Sequence, residues 1–249
     1  MDKNLAVVIM AAGKGTRMNN PELAKVMYTI NERPMIDYVV DLALQLNSSK
    51  TIVIVGWQKD AVIQHLNRTY KQVVFVEQTP QLGTGHAVMQ AREGLNGFTG
   101  DVLVLSGDVP LLSYDTVRRL VDHHRSTHVT ATVLTAELDD ATWYGRIIRS
   151  NNGDILGIVE HKDATQEQRK IGEINTGIYV FNTMQLFDGL VHIRPSNKQK
   201  EYYLTDVVQY FRQAGLTLRA VAARNPDEVL GINTPQQLDE ARAFVSRSR

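Results

Sequence analysis

The chain has 249 residues, of which 43% are hydrophobic and 22% are charged, a composition typical of a soluble globular protein. Lysine plus arginine equal aspartate plus glutamate at 27 each, which argues against extended nucleic-acid binding, and there is no cysteine for disulfides, thiolate catalysis or metal ligation. No run reaches the ~20 apolar residues needed to span a bilayer. We therefore expect a cytoplasmic protein without a nucleic-acid or membrane partner, with one domain at residues 1–234 and a helical tail at residues 235–249.

The first predicted element is a strand, Ala6–Met10, that leads directly into a small, glycine-spaced, basic loop. Small residues allow backbone N–H groups to turn toward an anion, and basic side chains add fixed positive charge. A dinucleotide fingerprint would need a third glycine at Met18, and the spacing is not that of a Walker A loop either. The loop predicts a nucleotide or sugar-phosphate site, with a simple strand-to-helix turn as the alternative. Its small residues are Ala11, Ala12, Gly13 and Gly15, and the nearby basic residues are Lys14, Arg17 and Lys25.

Short apolar runs and helical patterns alternate after this loop, which favours a mostly parallel sheet with helices on both faces. The predicted fold class is α/β, Rossmann-like and doubly wound. The further predicted strands are Thr51–Val55, Val73–Val76, Val102–Leu105, Val129–Leu134, Ile155–Val159 and Gly177–Phe181. The predicted helices are Met35–Gln45, Ala61–Tyr70, Gly85–Glu93, Tyr114–His124 and Pro235–Val245, the last capped by Thr234.

Polar residues and glycines mark the carboxyl ends of three predicted strands, where ligands bind in sheets of this class. Asp108 follows the fourth strand, and a single aspartate beside a phosphate site suits Mg²⁺; capping of the next turn is the alternative. Gln78 and Gln81 carry the donors and acceptors that read a base edge, and Gly83 would admit a planar ring, although surface glutamines are the simpler explanation. We expect these strand ends to converge on one crevice.

The region from Val129 onward is expected to extend the same sheet on the substrate side. Asn151–Asp154 has the composition of a hairpin turn. Glu160 and Asn175 stand at the edges of apolar runs, where they could bind sugar hydroxyls or simply be solvated. His123–His124 is expected on an exposed helix face rather than at a metal.

Eight sequence blocks follow one another in a recognisable order: Leu5–Met18, Gln81–Ala87, Gly107–Leu111, Tyr144–Ile147, Val159–Ala164, Glu173–Gly177, Glu201–Asp206 and Gly231–Asn233. With these blocks the chain resembles the bacterial N-acetylglucosamine-1-phosphate uridyltransferases over almost its whole length. The resemblance implies a sugar-nucleotidyltransferase fold of the GT-A-like type. It also implies Mg²⁺-dependent transfer from UTP to N-acetylglucosamine-1-phosphate, which releases pyrophosphate.

The same resemblance implies individual roles. Asp108 and Asn233 would hold Mg²⁺, and Arg17, Lys25 and Asp108 would be the catalytic residues. The nucleotide would contact Ala11, Ala12, Gly13, Lys25, Gln78, Gln81, Gly83 and Thr84. The amino sugar and its phosphate would contact Gly145, Glu160, Asn175, Tyr202 and Thr205.

The sequence departs from the family pattern at three places. Ala24 precedes Lys25 where a proline is usual, and Ser106 stands where a tyrosine is common. The left-handed β-helix of the bifunctional relatives is absent from this sequence, so we expect neither acetyl transfer nor a trimer formed through that domain. Another sugar-1-phosphate nucleotidyltransferase is the nearest alternative, and a catalytically silent nucleotide-sugar-binding protein is the alternative from a different class.

Overall fold

Strands and helices alternate along most of the chain, and the computed structural model describes residues 2–18 and 20–247. The strands are β1 Asp2–Ala11, β2 Thr29–Ile30, β3 Arg33–Pro34, β4 Ser48–Val55, β5 Val73–Glu77, β6 Asp101–Ser106, β7 Ala131–Glu137, β8 Gly145–Arg149, β9 Ile155–Val159, β10 Glu173–Asn182 and β11 Leu218–Ala222. The helices are α1 Met35–Gln45, α2 Lys59–Thr69, α3 Thr84–Met89, α4 Tyr114–Thr127, α5 Gln166–Arg169, α6 Thr183–His192, α7 Asp206–Gln213 and α8 Pro235–Arg247.

Nine strands of the described part of the chain form one sheet, in the order β11-β7-β10-β6-β1-β4-β5, with β8 paired to β10 and β9 paired to β8. The pairs β1–β4, β1–β6, β4–β5 and β7–β11 are parallel. Strand β10 runs antiparallel to β6, β7 and β8. The predicted α/β doubly wound class is confirmed, with one antiparallel strand inside the sheet.

Strand β1 shows why helices cover both faces of this sheet. Side chains alternate between the two faces of a strand, so an uninterrupted apolar strand must be buried on both. Leu5, Val7 and Ile9 belong to a core cluster with residues of α1, α2 and α4. Ala6 and Val8 belong to a second cluster with residues of α3, α6 and α7. The first strand is therefore fixed from both sides, and the loop that follows it starts from a rigid point.

Several predicted boundaries differ from the structure, and three of them are instructive. The helix predicted over Gly85–Glu93 begins one residue earlier and tightens into a 3-10 turn at Gln90–Arg92. The strand predicted from Val129 is shifted toward its carboxyl end. The strand predicted as Gly177–Phe181 begins at Glu173, because neighbouring strands on both sides pair with its polar first half.

The expectation that His123–His124 lies on an exposed face is wrong for His124, which is 3% exposed. Its Nδ1 lies 2.9 Å from the Thr132 hydroxyl oxygen, and its Nε2 lies 3.6 Å from an Asp101 carboxylate oxygen. The imidazole is thus a partnered residue of the interior, at the contact between α4 and the sheet. Helical periodicity alone could not reveal these partners, because they lie on strands β6 and β7.

The predicted turn at Asn151–Asp154 is confirmed, since it joins the antiparallel strands β8 and β9, and these extend the sheet as expected. The last helix is also confirmed: the Thr234 hydroxyl accepts a hydrogen bond from the Gln237 N–H at 3.2 Å, as a helix cap does. Leu238 and Ala241 of α8 are buried in a small cluster with Met18, Ile30, Met35 and Ile232. The final helix therefore packs beside the loop that follows β1.

Candidate active site

The loop after β1 is shaped by two glycines that differ in their surroundings. Gly15 has φ +62°, and a Cβ there would lie 2.6 Å from the Cβ of Lys25. A Cβ on Gly13 would meet no atom within 4 Å, so this glycine borders open space. Gly15 allows the backbone to turn close to Lys25, whereas Gly13 leaves room above the backbone.

Four side chains meet at the centre of the crevice. The Lys25 ammonium donates to the Asp108 carboxylate and, at 3.0 Å, to the amide oxygen of Asn233. The Arg17 guanidinium donates to the same Asn233 oxygen at 2.9 Å. Two cationic groups and two oxygen ligands from distant parts of the sequence therefore form one connected cluster.

Hydrogen bonds of the backbone fix the position of Asn233 relative to Asp108. The Ile232 N–H donates to the Asp108 carbonyl at 2.9 Å, which ties the two segments together. The Asn233 amide nitrogen donates to the Gly231 carbonyl at 2.9 Å, and its backbone N–H donates to the Gln237 side chain at 2.8 Å. These bonds turn the Asn233 amide oxygen toward the two cations.

The oxygens of Asp108 and Asn233 fit a small hard cation. Both contact one ammonium group, so their lone pairs already converge on a positive charge. A single carboxylate and one amide oxygen are a sparse set, and such a set suits a divalent ion that takes its other ligands from substrate phosphates and water. Within the described residues no group of three or more histidine, aspartate or glutamate side chains is arranged for a metal ion.

The nucleotide-side residues predicted from the sequence lie around one cavity of about 490 Å³. Gly83 has φ +107°, and a Cβ there would lie 2.6 Å from the Tyr202 carbonyl oxygen. Gln78 is 3% exposed, and its amide nitrogen donates to the Gly83 carbonyl at 2.9 Å. The Gln81 amide donates to the Gln78 carbonyl at 3.4 Å, and the Thr84 hydroxyl accepts from the Leu204 N–H at 3.0 Å. The cavity lining includes Ala11, Ala12, Gly13, Lys25, Gln78, Gln81, Gly83, Thr84, Ser106 and Asp108.

A second cavity of about 410 Å³ adjoins the first at the loop after β1, since Thr16 lines both cavities. Glu160 faces this second cavity, and its carboxylate accepts from the Thr205 hydroxyl at 3.3 Å. Burial raises the pKa of Glu160, and nearby carboxylates add to that rise. Gly145 is so close that a Cβ on it would lie 3.5 Å from a Glu160 carboxylate oxygen and 3.4 Å from the Asn175 Cβ.

Asn175 is held in one orientation by its neighbours. Its amide oxygen accepts from the Tyr179 hydroxyl at 2.8 Å and from the Gly177 N–H at 3.1 Å. Tyr179 is fully buried, and burial raises its pKa well above the ordinary value, so it remains a donor. Among the described residues the amide nitrogen of Asn175 donates no hydrogen bond, which leaves a donor beside Glu160 and Gly145.

The five residues predicted for the sugar do not all meet. Gly145, Glu160 and Asn175 come together, and Thr205 stands behind Glu160 with only 4% of its surface exposed. Tyr202 instead pairs through its backbone with the segment that contains Gly83 and Thr84. Its N–H donates to the Leu82 carbonyl at 2.8 Å, and its carbonyl accepts from the Gly85 N–H at 2.7 Å.

Several further residues border the site and were not predicted, among them Tyr144, Trp143 and His161. Tyr144 lies near Asp108 and Arg17, and burial, reinforced by the Asp108 carboxylate, raises its pKa. Trp143 and His161 line the second cavity, and Trp143 is 63% exposed. Tyr144 and His161 fall inside the sequence blocks, but nothing in the sequence distinguishes Trp143 from a surface residue.

Comparisons with known proteins agree with this architecture. The Nucleotidyl transferase family matches residues 6–228. A relative named "Bifunctional protein GlmU" from Pelotomaculum thermopropionicum is 44% identical over 244 residues, which are 98% of this chain and 52% of the relative. One of the same name from Geobacter metallireducens is 46% identical over 242 residues, 97% of this chain and 50% of the relative. The chain thus spans about half the length of the curated relatives it matches.

A solved structure of UDP-glucose pyrophosphorylase complexed with UDP-glucose superimposes with a TM-score of 0.78 at 19% identity, and 100% of each chain is covered. The fold is therefore that of the sugar nucleotidyltransferases. By its sequence, the chain belongs to the nucleotidyl transferase family. The described residues include no helix with the length and apolar character needed to cross a membrane.

The two loop glycines provide a matched pair of variants. We expect Gly15→Ala to lower the free energy of unfolding by about 1–2 kcal/mol or more, because its φ is positive and the added methyl group meets Lys25. Gly13→Ala, whose methyl group would enter open space, should change it by less than about 0.5 kcal/mol. Denaturant unfolding of both variants measures the difference. Equal stability losses would contradict the loop geometry.

Proposed function

We propose that the chain catalyses Mg²⁺-dependent uridylyl transfer, in which UTP and N-acetylglucosamine-1-phosphate give UDP-N-acetylglucosamine and pyrophosphate. The observation that carries this proposal is a pair of cavities that share a lining residue of one cationic loop. The first cavity is lined by Lys25 and Asp108, the second by Arg17 and Glu160, and Thr16 borders both. Such a site can hold two phosphorylated substrates with their phosphates facing each other.

The chemistry requires alignment more than activation. A sugar phosphate is already an anionic nucleophile at neutral pH, so the protein needs no serine, cysteine or general base to create one. Its phosphate oxygen attacks the α-phosphorus of the nucleotide in line, the new P–O bond forms, and the bond to the pyrophosphate breaks. The main obstacle is the repulsion between two anions, which positive charge in a preorganised site reduces.

The positive charge comes from Lys25 and Arg17. Their link through the Asn233 amide oxygen gathers both cationic groups at the crevice before substrates arrive. Asp108 and Asn233 would hold Mg²⁺, which supplies further charge neutralisation at the phosphates when it is bound. Asp108 is also the anionic partner that holds the Lys25 ammonium in place.

We assign recognition of the nucleotide to the first cavity and recognition of the sugar phosphate to the second. In the first, the small residues Ala11, Ala12 and Gly13 leave space for a nucleoside, and Gln81 and the Gly83 backbone supply polar groups for uracil and ribose. Gln78, whose amide nitrogen supports Gly83, acts mainly by shaping that loop. In the second, the Glu160 carboxylate accepts hydrogen bonds from sugar hydroxyls, and the Asn175 amide nitrogen donates to the N-acetyl carbonyl.

The proposed catalytic unit is residues 1–234, with residues 235–249 as a helical tail that supports it. Asn233 lies directly before α8, and the α8 residue Leu238 packs with Met18 beside Arg17. We also propose that the enzyme works in the cytoplasm, without a nucleic-acid partner. The family's other members leave open a different hexose phosphate or nucleotide in the same two cavities.

The first test is a matrix of UTP, dTTP, CTP and ATP against the 1-phosphates of N-acetylglucosamine, N-acetylgalactosamine and glucose, with pyrophosphate release measured with and without Mg²⁺. We expect UTP with N-acetylglucosamine-1-phosphate to give the highest kcat/KM. Preference for another pair would change the assigned nucleotide or sugar phosphate but would leave the proposed type of reaction unchanged. No release from any pair would favour a nucleotide-sugar-binding protein without activity.

Asp108→Ala should lower turnover by about 100-fold or more, because it removes both a proposed metal ligand and the partner of Lys25. Asp60→Ala, at an exposed carboxylate of α2, is the control and should retain parental turnover. Pyrophosphate release is measured over a range of Mg²⁺ concentrations, and circular dichroism checks the fold. Near-normal Mg²⁺-dependent turnover in Asp108→Ala would exclude this residue from the metal site.

Glu160→Ala and Asn175→Ala should each raise the KM for the sugar phosphate by about 10-fold or more, because a lost hydrogen bond to a charged or buried polar group costs about 1.5–3 kcal/mol. The KM for UTP should change far less. Glu167→Ala, at an exposed carboxylate that pairs with Lys170, is the control. Equal effects on both substrates would indicate general damage to the site instead of sugar recognition.

A further inference from the structure

Trp143 is a large apolar side chain left mostly in water at the edge of the second cavity. It is 63% exposed, and it lines this cavity together with Arg17 and Glu160. Surface tryptophans at a polar cavity are unusual because their burial is so favourable. An exposed indole beside polar groups therefore points to a ligand that covers it.

The backbone at Trp143 is also unusual. Its φ is +73°, in the left-handed region that bulky residues rarely occupy. The turn is fixed on both sides, because the Thr142 N–H donates to an Asp140 carboxylate oxygen at 3.0 Å and the Tyr144 N–H donates to the Ala141 carbonyl at 3.2 Å. Strain of this kind is concentrated at functional sites, where the surrounding structure holds it.

The turn places the indole near the residues assigned to the sugar. Two residues after Trp143 the chain reaches Gly145, the first residue of β8, which lies against Glu160 and Asn175. The cavity that Trp143 and Glu160 line has a volume of about 410 Å³, and Arg17 also lines it. A hexose ring in this cavity would have Glu160 and the nearby Asn175 as polar partners. Its phosphate would lie near the cation of Arg17, and the indole of Trp143 would border the ring.

His161 supports the indole. Its ring centroid lies 5.2 Å from that of Trp143 with the planes inclined by 50°. Burial lowers the pKa of His161, and the nearby cations Arg169 and Arg146 act in the same direction. The lowered pKa favours the neutral imidazole, so His161 adds an aromatic ring rather than a charge beside the indole, and the neighbouring Lys162 adds a cation to the same cavity.

We propose that Trp143 is a substrate-binding residue that stacks its indole face on the apolar C–H face of the hexose ring. The inference rests on the proposed function, since it concerns the sugar phosphate bound in the second cavity. The negative face of an aromatic ring attracts the weakly positive C–H groups on one side of a pyranose. Phosphate without a sugar ring offers no such face, and this distinguishes stacking from attraction to Arg17.

The kinetic test compares Trp143→Phe with Trp143→Gly. Glycine removes the ring but suits the positive φ, so this variant should fold at least as well as the parent, which thermal unfolding checks. We expect Trp143→Gly to raise the KM for the sugar phosphate by about 5–10-fold, the loss of one stacking contact. Trp143→Phe should stay within about threefold of the parent, and the KM for UTP should stay within about twofold in both.

An unchanged sugar-phosphate KM in Trp143→Gly would overturn the proposal, as would an equal rise in the KM for UTP. The control is Val74→Ala, which truncates an exposed apolar side chain away from the two cavities. It should leave both KM values unchanged. Met184 is also exposed, but it lies in helix α6, so a glycine there is not a suitable control.

A binding measurement separates this proposal from the proposed reaction. The chain has two tryptophans, so Trp57→Phe leaves Trp143 as the sole indole reporter. Titration with N-acetylglucosamine-1-phosphate or glucose-1-phosphate should change the Trp143 emission, and inorganic phosphate at equal concentration should not. This result would support stacking even if the parent released no pyrophosphate. An emission unchanged by both sugar phosphates, or changed equally by phosphate alone, would overturn it.

Discussion

The Lys25 ammonium is shared between the carboxylate of Asp108 and the amide oxygen of Asn233, and this shared cation organises the whole carboxyl edge of the sheet. Each partner arrives on a different segment: one after β1, one after β6 and one before α8. A half-buried charge is tolerable only when it is paired and hydrogen-bonded, so the three segments must meet for any of them to be stable there. In the reaction proposed above, the same cluster would keep positive charge where two anionic substrates repel each other, which would link the stability of the edge to its chemistry.

Much of this arrangement could be predicted from the sequence because it depends on local patterns. Apolar runs define the strands, and in a doubly wound sheet the segments after β1, β5 and β6 have to lie near one another. Gly13, Gln78 and Asp108 stand directly after those strands, so their convergence follows from topology. The core is equally predictable, since β1 alternates its apolar side chains between two helical layers.

Other parts depend on contacts between distant segments and could not be predicted. The reversed direction of β10 carries β8 and β9 toward the crevice, and no periodicity encodes strand direction. The orientation of Asn175 depends on the Tyr179 hydroxyl, and the burial of His124 depends on Thr132 and Asp101. The backbone pairing of Tyr202 with Leu82 and Gly85 could not be predicted either, because hydrogen bonds of an irregular segment leave no mark in residue type.

The bond between Lys25 and Asn233 joins residues that are 208 positions apart, and it has a consequence for how the protein is made. Long-range contacts form late, since the intervening chain must first be ordered, and domains emerge from the ribosome with their amino-terminal elements leading. The loop after β1 is therefore synthesised early but remains without its amide partner until Asn233 has been made, 208 residues after Lys25. A nascent chain that ends before Asn233, or a misfolded one, therefore holds Arg17 and Lys25 without the amide oxygen that joins them.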